Sequence, residues 1–226
     1  FAIADTTSAL SPALRRTMVL CLQSGKRKRL VKAKLVHVVR HGEAQHNVKD
    51  KYLLKNDTKL TKRGRRQAKS LHTLLPKLKA EVAITSAVLR ALQTTRCMGF
   101  SGKTVVVPEA REVAGWPANA PIDTKRALAG DLESQFGRYD WSLAVKGCGP
   151  NGHSAQGWER LVQIKDRARR LTKLIERRKE SSILLVSHGE FLQHLTSDKY
   201  MQNCEVRTYA VRAGKWRRLR SSKCTV

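Results

Sequence analysis

The stretch Leu35-Val36-His37-Val38-Val39-Arg40-His41-Gly42-Glu43 decides the fold of this chain. Its first five residues are apolar apart from His37, which is typical of a strand buried on both faces of a parallel sheet. An arginine and a histidine follow where the strand ends. In open α/β sheets, ligands bind in the crevice beyond the carboxyl ends of the strands. The stretch therefore predicts a buried strand that brings Arg40 and His41 to a ligand site.

A similar pattern occurs far downstream. The apolar run Ile183-Leu184-Leu185-Val186 is followed by Ser187-His188-Gly189-Glu190. A guanidinium can clamp an oxyanion through parallel hydrogen bonds, and a neutral imidazole can attack phosphorus. Two strand-end histidines with arginines nearby therefore indicate phosphoryl transfer through a phosphohistidine.

Strands and helices alternate along the rest of the chain. Strands are predicted at 34–39, 82–85, 104–107 and 183–186, and two more within 206–219 that turn at Ala213-Gly214. A helix is predicted from the N-cap Thr61 to about Lys79, although Pro76 disfavours its last turn. Further helices are predicted from the cap Ser86 to Met98, over 156–179, and from Gly189 to about Thr196. This order predicts the α/β class, as a single three-layer αβα domain with a mostly parallel central sheet. The Gly- and Pro-rich residues 109–155 are predicted to form a partly helical excursion over the active face.

The charge of the chain is unusual. There are 45 Lys+Arg against 18 Asp+Glu, for a formal net charge of +27. We predict a basic N-terminal extension at 1–33, a folded domain at 34–219 and a tail at 220–226. The extension is similar in composition to an organelle transit segment, but a solvated basic tail, or a nuclear-import cluster at Lys26-Arg27-Lys28-Arg29, explains it as well. The prediction is an intracellular protein of the cytoplasm or an organelle, with the nucleus as a further alternative.

Several classes of site are disfavoured by the sequence. No apolar run approaches the ~18–20 residues needed to cross a bilayer. The five cysteines are scattered, without the paired spacing of a zinc or redox site, and an odd set argues against a disulfide framework. We therefore predict no metal and no cofactor. The sequence does not indicate the oligomeric state.

Four segments carry the chemistry when they are taken together. They are 40–47 (RHGEAQHN), 60–68 (LTKRGRRQA), 85–94 (TSAVLRALQT) and 187–189 (SHG). In this order they closely resemble the histidine phosphatase superfamily, which includes the cofactor-dependent phosphoglycerate mutases. The resemblance covers residues 34–210.

The resemblance implies a catalytic core of two histidines, two arginines and an acid. By position, His41 resembles the phosphorylated nucleophile and His188 the imidazole that holds the phosphate opposite the line of attack. Arg40 and Arg90 resemble the phosphate clamps. Asn47 lies where the family often has a further phosphate contact, although it is equally a turn residue.

The acid that protonates the leaving group is expected after the third strand. There, Arg111-Glu112-Val113 is similar to the family's stretch, so Glu112 is the candidate and Glu109 the alternative. Each candidate also has an interpretation without a catalytic role. Glu112 would be a surface carboxylate, Arg90 a solvated helix residue, and His41 and His188 core histidines.

These roles agree with the chemistry of a phosphomonoester. Arg40, Arg90 and a protonated His188 would neutralise the phosphoryl oxygens, while the same positive field keeps His41 unprotonated. A carboxylic acid would protonate the leaving alkoxide and then activate water.

The predicted function is phosphomonoester hydrolysis on a small-molecule ester, with a polyanionic ester as a narrower hypothesis. A phosphoglycerate mutase-type transferase is the first alternative; the resemblance disfavours it because the chain is short and has His46 where mutases usually have Trp. A catalytically retired binder of nucleic acid or acidic partners is the second. Aromatic residues are only 5%, which leaves few stacking platforms for nucleic acid.

Overall fold

The computed structural model describes residues 32–56, 58–119, 131–147 and 158–222. From Ala33 onward they belong to one compact unit. All of the predicted extension except Lys32 and Ala33 lies outside the described residues. The division into extension, domain and tail therefore stays a prediction.

Six strands form one sheet in the order β3-β2-β4-β1-β5-β6. Their bounds are Lys34–Arg40 (β1), Val82–Thr85 (β2), Lys103–Val106 (β3), Ser182–Ser187 (β4), Val206–Arg212 (β5) and Lys215–Ser222 (β6). Strands β1 to β4 are parallel, whereas β5 is antiparallel to β1 and β6 is antiparallel to β5. The predicted α/β class with a mostly parallel sheet is confirmed.

The described helices flank this sheet. They are Lys62–Ser70 (α1), Leu75–Leu78 (α2), Leu89–Met98 (α3), Asp131–Phe136 (α4), Ser142–Gly147 (α5), Leu161–Arg177 (α6) and Gly189–Thr196 (α7). Short 3₁₀ helices lie at Gln45–Asn47, Asp50–Leu54, Leu71–Thr73, Pro108–Ala110 and Pro117–Asn119. Within the excursion predicted for 109–155, residues 120–130 and 148–155 lie outside the described part.

Alternate side chains of the strands pack into two cores, one on each face of the sheet. Val36 and Val38 of β1 pack with α6 and α7, whereas Val39 packs with α1 and α3. Apolar residues on both faces are what a parallel sheet covered by helices requires. The three layers follow from this alternation.

The helix predicted from Thr61 to Lys79 is interrupted. Its start is confirmed, because the Thr61 hydroxyl accepts a hydrogen bond from the Gly64 amide at 2.9 Å. The helix α1 ends at Ser70, and Pro76 is at the second position of the separate helix α2. Since proline has no N–H and clashes with the residue four positions earlier, it is tolerated in a first turn but not inside a longer helix.

Ser86 does not cap α3, contrary to expectation. The helix begins three residues later, at Leu89, and ends as predicted before Gly99, which has a left-handed φ of 71°. At the other end of the chain, β6 continues to Ser222, into the predicted tail, because it stays paired with β5 to the start of that strand.

The register of the sheet sets the position of the candidate residues. Arg40 at the end of β1 is opposite Ser187 at the end of β4, and Thr85 at the end of β2 is opposite Val186. The residues that follow these strand ends are His41, His188 and Ser86. They therefore leave three adjacent parallel strands at the same edge of the sheet.

Candidate active site

The two strand-end histidines lie next to each other. The ring centroids of His41 and His188 are 5.1 Å apart. Both side chains are buried. Two imidazoles separated by almost 150 residues in sequence thus face one small volume at the end of the sheet.

The hydrogen bonds of His41 define its tautomer. Arg90 Nε lies 3.2 Å from His41 Nε2, and Gly42 O lies 2.7 Å from His41 Nδ1. A guanidinium nitrogen only donates and a carbonyl only accepts, so the ring proton is assigned to Nδ1. His41 Nε2 therefore carries a lone pair, which is the state that a nucleophile needs.

Two glycines allow helix α1 to approach the residue after the nucleophile. A Cβ atom on Gly42 would lie 2.6 Å from the carbonyl oxygen of Gly64, and one on Gly64 would overlap the carbonyl oxygen of Glu43. The Gly42 amide also donates to Thr94 Oγ1 at 3.0 Å. Backbone packing on two sides therefore fixes the segment that carries His41.

His188 is oriented by Ser86. Its Nε2 lies 2.8 Å from Ser86 Oγ, which also accepts the amide of Val88 at 3.2 Å. The Ser86 hydroxyl can therefore donate its proton to Nε2, in the tautomer of His188 that carries the ring proton on Nδ1. This buried Nδ1 makes no hydrogen bond with any described residue.

Arg90 is buried completely at the second position of α3. Besides Nε on His41, its Nη1 donates to Ala118 O at 2.5 Å and its Nη2 donates to Asn119 Oδ1 at 2.9 Å. The 3₁₀ turn Pro117–Asn119 therefore holds the guanidinium against the nucleophile. The alternative of a solvated helix residue is wrong.

Arg40 is held by the segment between α7 and β5. Its Nη1 donates to Met201 O at 2.8 Å, and its Cζ lies 4.7 Å from the centroid of the Tyr200 ring. Its Nε is buried and makes no hydrogen bond with the described residues. Buried polar groups are usually paired, so this atom and His188 Nδ1 are candidates for contact with a bound anion.

Glu112 is 8% exposed, so it is not a surface carboxylate. Its Oε1 accepts the amide of Val113 at 3.0 Å and the amide of Phe191, in the first turn of α7, at 2.9 Å. Glu112 also acts to raise the pKa of Arg90, which places its charge within reach of the site. Its Oε2 has no hydrogen-bond partner among the described residues.

Two further candidates are positioned less directly. Glu109, the alternative acid, is half-buried, and only its carbonyl is held, by Arg167 Nη1 at 2.9 Å. Asn47 is exposed, and its Oδ1 accepts the amide of Ala44 at 3.0 Å, as a turn residue does. Its amide nitrogen lies 3.1 Å from His46 Nε2. The proposed phosphate contact of Asn47 stays a prediction.

His46 belongs to the site although the sequence assigned it no role. Its ring centroid is 5.8 Å from that of His41, and its Nδ1 lies 3.1 Å from Thr58 Oγ1. A signal existed, because His46 is five residues after the strand-end histidine within the first motif. Ser86 and Asn119 were also missed as partners of His188 and Arg90.

Burial and positive charge keep the imidazoles neutral. Burial first, then Arg90 and Arg40, hold the pKa of His41 well below its ordinary value. The same causes in the same order lower the pKa of His46 to about 3. Burial, and then Arg90, also hold the pKa of His188 well below its usual range.

The burial of the His188 ring beside Arg90 and His41 disfavours the imidazolium that was expected from the sequence. A bound phosphate dianion would act in the opposite direction, so the charge of His188 opposite a phosphate stays a prediction. A neutral ring with its proton on Nδ1 still provides one donor to a phosphoryl oxygen. In the free protein, the positive charge of the site therefore resides on the arginines.

Within the described ranges, no three His, Cys, Asp or Glu side chains group together as metal ligands would. Of the helices described, none combines the length and the apolar character needed to span a membrane.

The sequence of this chain is similar to that of known proteins. The model of the histidine phosphatase superfamily (branch 1) matches residues 36–222. Adenosylcobalamin/alpha-ribazole phosphatase of Escherichia coli is 30% identical over 163 residues, which cover 70% of this chain and 75% of that protein.

Solved structures share the fold. A mycobacterial glucosyl-3-phosphoglycerate phosphatase superposes with a TM-score of 0.56 at 20% identity, covering 83% of this chain and 97% of the other. A phosphoserine phosphatase of Entamoeba histolytica gives a TM-score of 0.53 at 18% identity, covering 84% and 97%. At these identities the likeness shows the fold alone.

The lowered pKa of His41 leads to a measurable expectation. Unfolded histidine titrates near ~6.5, whereas a ring whose folded pKa is depressed stays neutral as the pH falls through that value. In ¹⁵N NMR spectra, His41 is expected to keep a protonated Nδ1 and an unprotonated Nε2 from pH 7 to about 5.5. The variant His41→Gln assigns the signals. An imidazolium pattern appearing near pH 6.5 would contradict this assignment.

Proposed function

Since the chain belongs to branch 1 of the histidine phosphatase superfamily, we propose that it hydrolyses phosphomonoesters through a phosphohistidine formed on His41. The observation that carries this proposal is a buried group of two histidines and two arginines whose two imidazole rings lie 5.1 Å apart. His41 Nε2 has a lone pair, Arg90 Nε lies 3.2 Å from it, and two further buried nitrogens, on Arg40 and His188, have no described partner.

The substrate phosphate binds where these nitrogens converge. A phosphomonoester carries nearly two negative charges, which Arg40 and Arg90 neutralise. The Nδ1–H of His188 donates to a third oxygen. Helices α3 and α7 both begin beside this volume, and the positive ends of their dipoles favour an anion there.

The first chemical step forms a bond from His41 Nε2 to phosphorus and breaks the bond from phosphorus to the ester oxygen. As Nε2 attacks, the Nε–H of Arg90 turns from the ring to a phosphoryl oxygen. The leaving alkoxide takes a proton from the carboxyl group of Glu112, so an alcohol departs and Glu112 becomes a carboxylate. Charge spread over the phosphoryl oxygens in the transition state is stabilised by the arginines.

The second step returns the enzyme to its starting state. The Glu112 carboxylate removes a proton from a water molecule, and the water oxygen attacks phosphorus. The bond from phosphorus to Nε2 breaks, inorganic phosphate leaves, and Glu112 is again protonated. Neither step moves the proton on His41 Nδ1, which stays hydrogen-bonded to Gly42 O.

The class of substrate is a small phosphate ester, and we propose that the chain prefers a polyanionic one. Helix α1 starts close to the nucleophile and has exposed basic side chains at Lys62, Arg63, Arg65, Arg66 and Lys69. Arg63 Nη1 lies 3.5 Å from Oε2 of Glu43, which is within the first motif. Positive charge at the approach to a site concentrates anions there.

The compartment stays a sequence-based prediction. Cys97 is a free cysteine, which agrees with a reducing, intracellular environment.

The direct test is labelling of the protein with a phosphate donor. Rapid quenching of a reaction with ³²P-labelled ester is expected to trap an acid-labile, alkali-stable phosphoenzyme that His41→Ala abolishes. Inorganic phosphate is expected to be released at the rate of turnover. A phosphatase would be excluded if the label passed to a second position of the substrate without release of phosphate, and an enzyme of either kind if no label appeared.

The role of Glu112 is tested by the leaving group. Glu112→Gln is expected to lower kcat/KM for an alkyl phosphate by about 10²–10⁴-fold, because an alkoxide needs a proton to depart. For nitrophenyl phosphate, whose phenolate leaves unaided, the loss in kcat/KM is expected to stay below about tenfold. The comparison variant is Glu109→Gln, which tests the alternative acid. Equal losses on both esters would remove Glu112 from this role.

The preference for polyanions is tested by salt. Raising the ionic strength shortens the Debye length from about 30 Å at 0.01 M to about 8 Å at 0.15 M. We expect kcat/KM for a sugar bisphosphate to fall several-fold more than that for nitrophenyl phosphate. Arg63→Gln is expected to reduce this difference, whereas Lys215→Gln, at the distant turn between β5 and β6, is not. An identical salt response of the two esters would overturn the preference.

A further inference from the structure

A buried ion cluster lies behind the loop that carries Glu112. Its centre is Arg167 of α6, a side chain that is 1% exposed. Arg167 Nε and Nη2 lie 2.8 and 2.7 Å from the two carboxylate oxygens of Glu159, and Arg111 Nη1 lies 3.0 Å from the same carboxylate. The guanidinium is thereby held in one orientation.

The remaining hydrogen bonds of Arg167 go to the backbone of residues 109–112, the acid loop that carries Glu112. Its Nη1 donates to Glu109 O at 2.9 Å and to Arg111 O at 2.7 Å, and its Nη2 donates to Glu112 O at 3.4 Å. Three carbonyls within four residues thus converge on one side chain. A lysine has a single charged nitrogen and cannot reproduce this planar fork.

The flat face of Arg167 contacts the partner of the carboxyl group. Its Cζ lies 4.1 Å from the centroid of the Phe191 ring, and the amide of Phe191 donates to Glu112 Oε1 at 2.9 Å. The same guanidinium therefore contacts both the backbone of Glu112 and the helix turn that receives its side chain.

We propose that Arg167, fixed by Glu159, is a positioning residue for the acid Glu112. This inference rests on the proposed function, since it assigns Arg167 a role only if Glu112 transfers the proton. Arg167 touches neither the substrate nor the reacting atoms. It acts by holding the carboxyl group at the distance from which a proton reaches the leaving oxygen, and a misplacement of about 1 Å can cost about 10²-fold in rate.

The test is Arg167→Lys, measured with an alkyl phosphate and with nitrophenyl phosphate. The expected result is a fall of about 10–100-fold in kcat/KM for the alkyl ester. For nitrophenyl phosphate, kcat/KM is expected to change by less than about threefold, because its leaving group needs no proton. A residue that serves folding alone would lower both values equally.

A matched control is available in a second buried arginine. Arg207 is 5% exposed, lies 2.7 Å from Glu205 through Nε and donates to the carbonyls of Lys199 and Tyr200. Among the described residues, none of its hydrogen bonds or ion pairs is with residues 109–112. Arg207→Lys is expected to change kcat/KM for the two esters by the same factor.

A double-mutant cycle isolates the coupling. Once Glu112→Gln has removed the acid, adding Arg167→Lys is expected to produce no further selective loss on the alkyl ester. If the two substitutions multiplied their effects instead, Arg167 would act independently of Glu112 and the proposal would fail. Should Arg167→Lys not fold, Glu159→Gln loosens the same guanidinium and is expected to give a smaller loss of the same selectivity.

The phosphoenzyme separates this inference from the proposed function. Arg167→Lys is expected to form phosphohistidine from nitrophenyl phosphate as rapidly as the unaltered chain. If the unaltered chain formed no phosphohistidine, the proposed function would be refuted. If Arg167→Lys formed phosphohistidine normally but lost kcat/KM equally on both esters, only the role of Arg167 would be refuted.

Discussion

The parallel pairing of β1 with β4 is the constraint on which the site depends. It places Arg40 beside Ser187, so that the next residue of each strand enters the same crevice. A shift of one residue in register would reverse the direction of the His41 and His188 side chains relative to each other. The buried alternation of β4, with Ile183 and Leu185 on one face and Leu184 on the other, fixes the register through burial.

Buried positive charge without an equal buried negative charge explains why this crevice suits a phosphate. Arg40 and Arg90 both donate to carbonyls, which satisfy hydrogen bonds but do not neutralise charge. Burial lowers the pKa of Arg90 to about 10, because the charged form is disfavoured in that environment. Ion pairs in low dielectric interact strongly, so a dianion offsets a cost that the free protein bears.

The sequence predicted the side chains at the strand ends and those that the family resemblance implies, and missed the residues that orient them. The apolar runs before His41 and His188 located both residues, because parallel strands end at one edge. Ser86 was misassigned as a helix cap, since its bond to His188 follows from the register of β2 against β4. The sequence did not indicate the role of Arg167, because most of its partners are backbone carbonyls, which every residue has. The break after Ser70 depends on how the following turns pack, although Pro76 pointed to it.

The outermost strand β6 affects whether copies of the folded chain associate through their sheet edges. An edge strand presents unpaired amide and carbonyl groups to which another chain can add. Lys215, Arg217 and Arg218 are exposed along β6. Because these side chains are all positively charged, the matching edges of two copies repel each other. The excess of basic residues thus guards the open side of the sheet against aggregation.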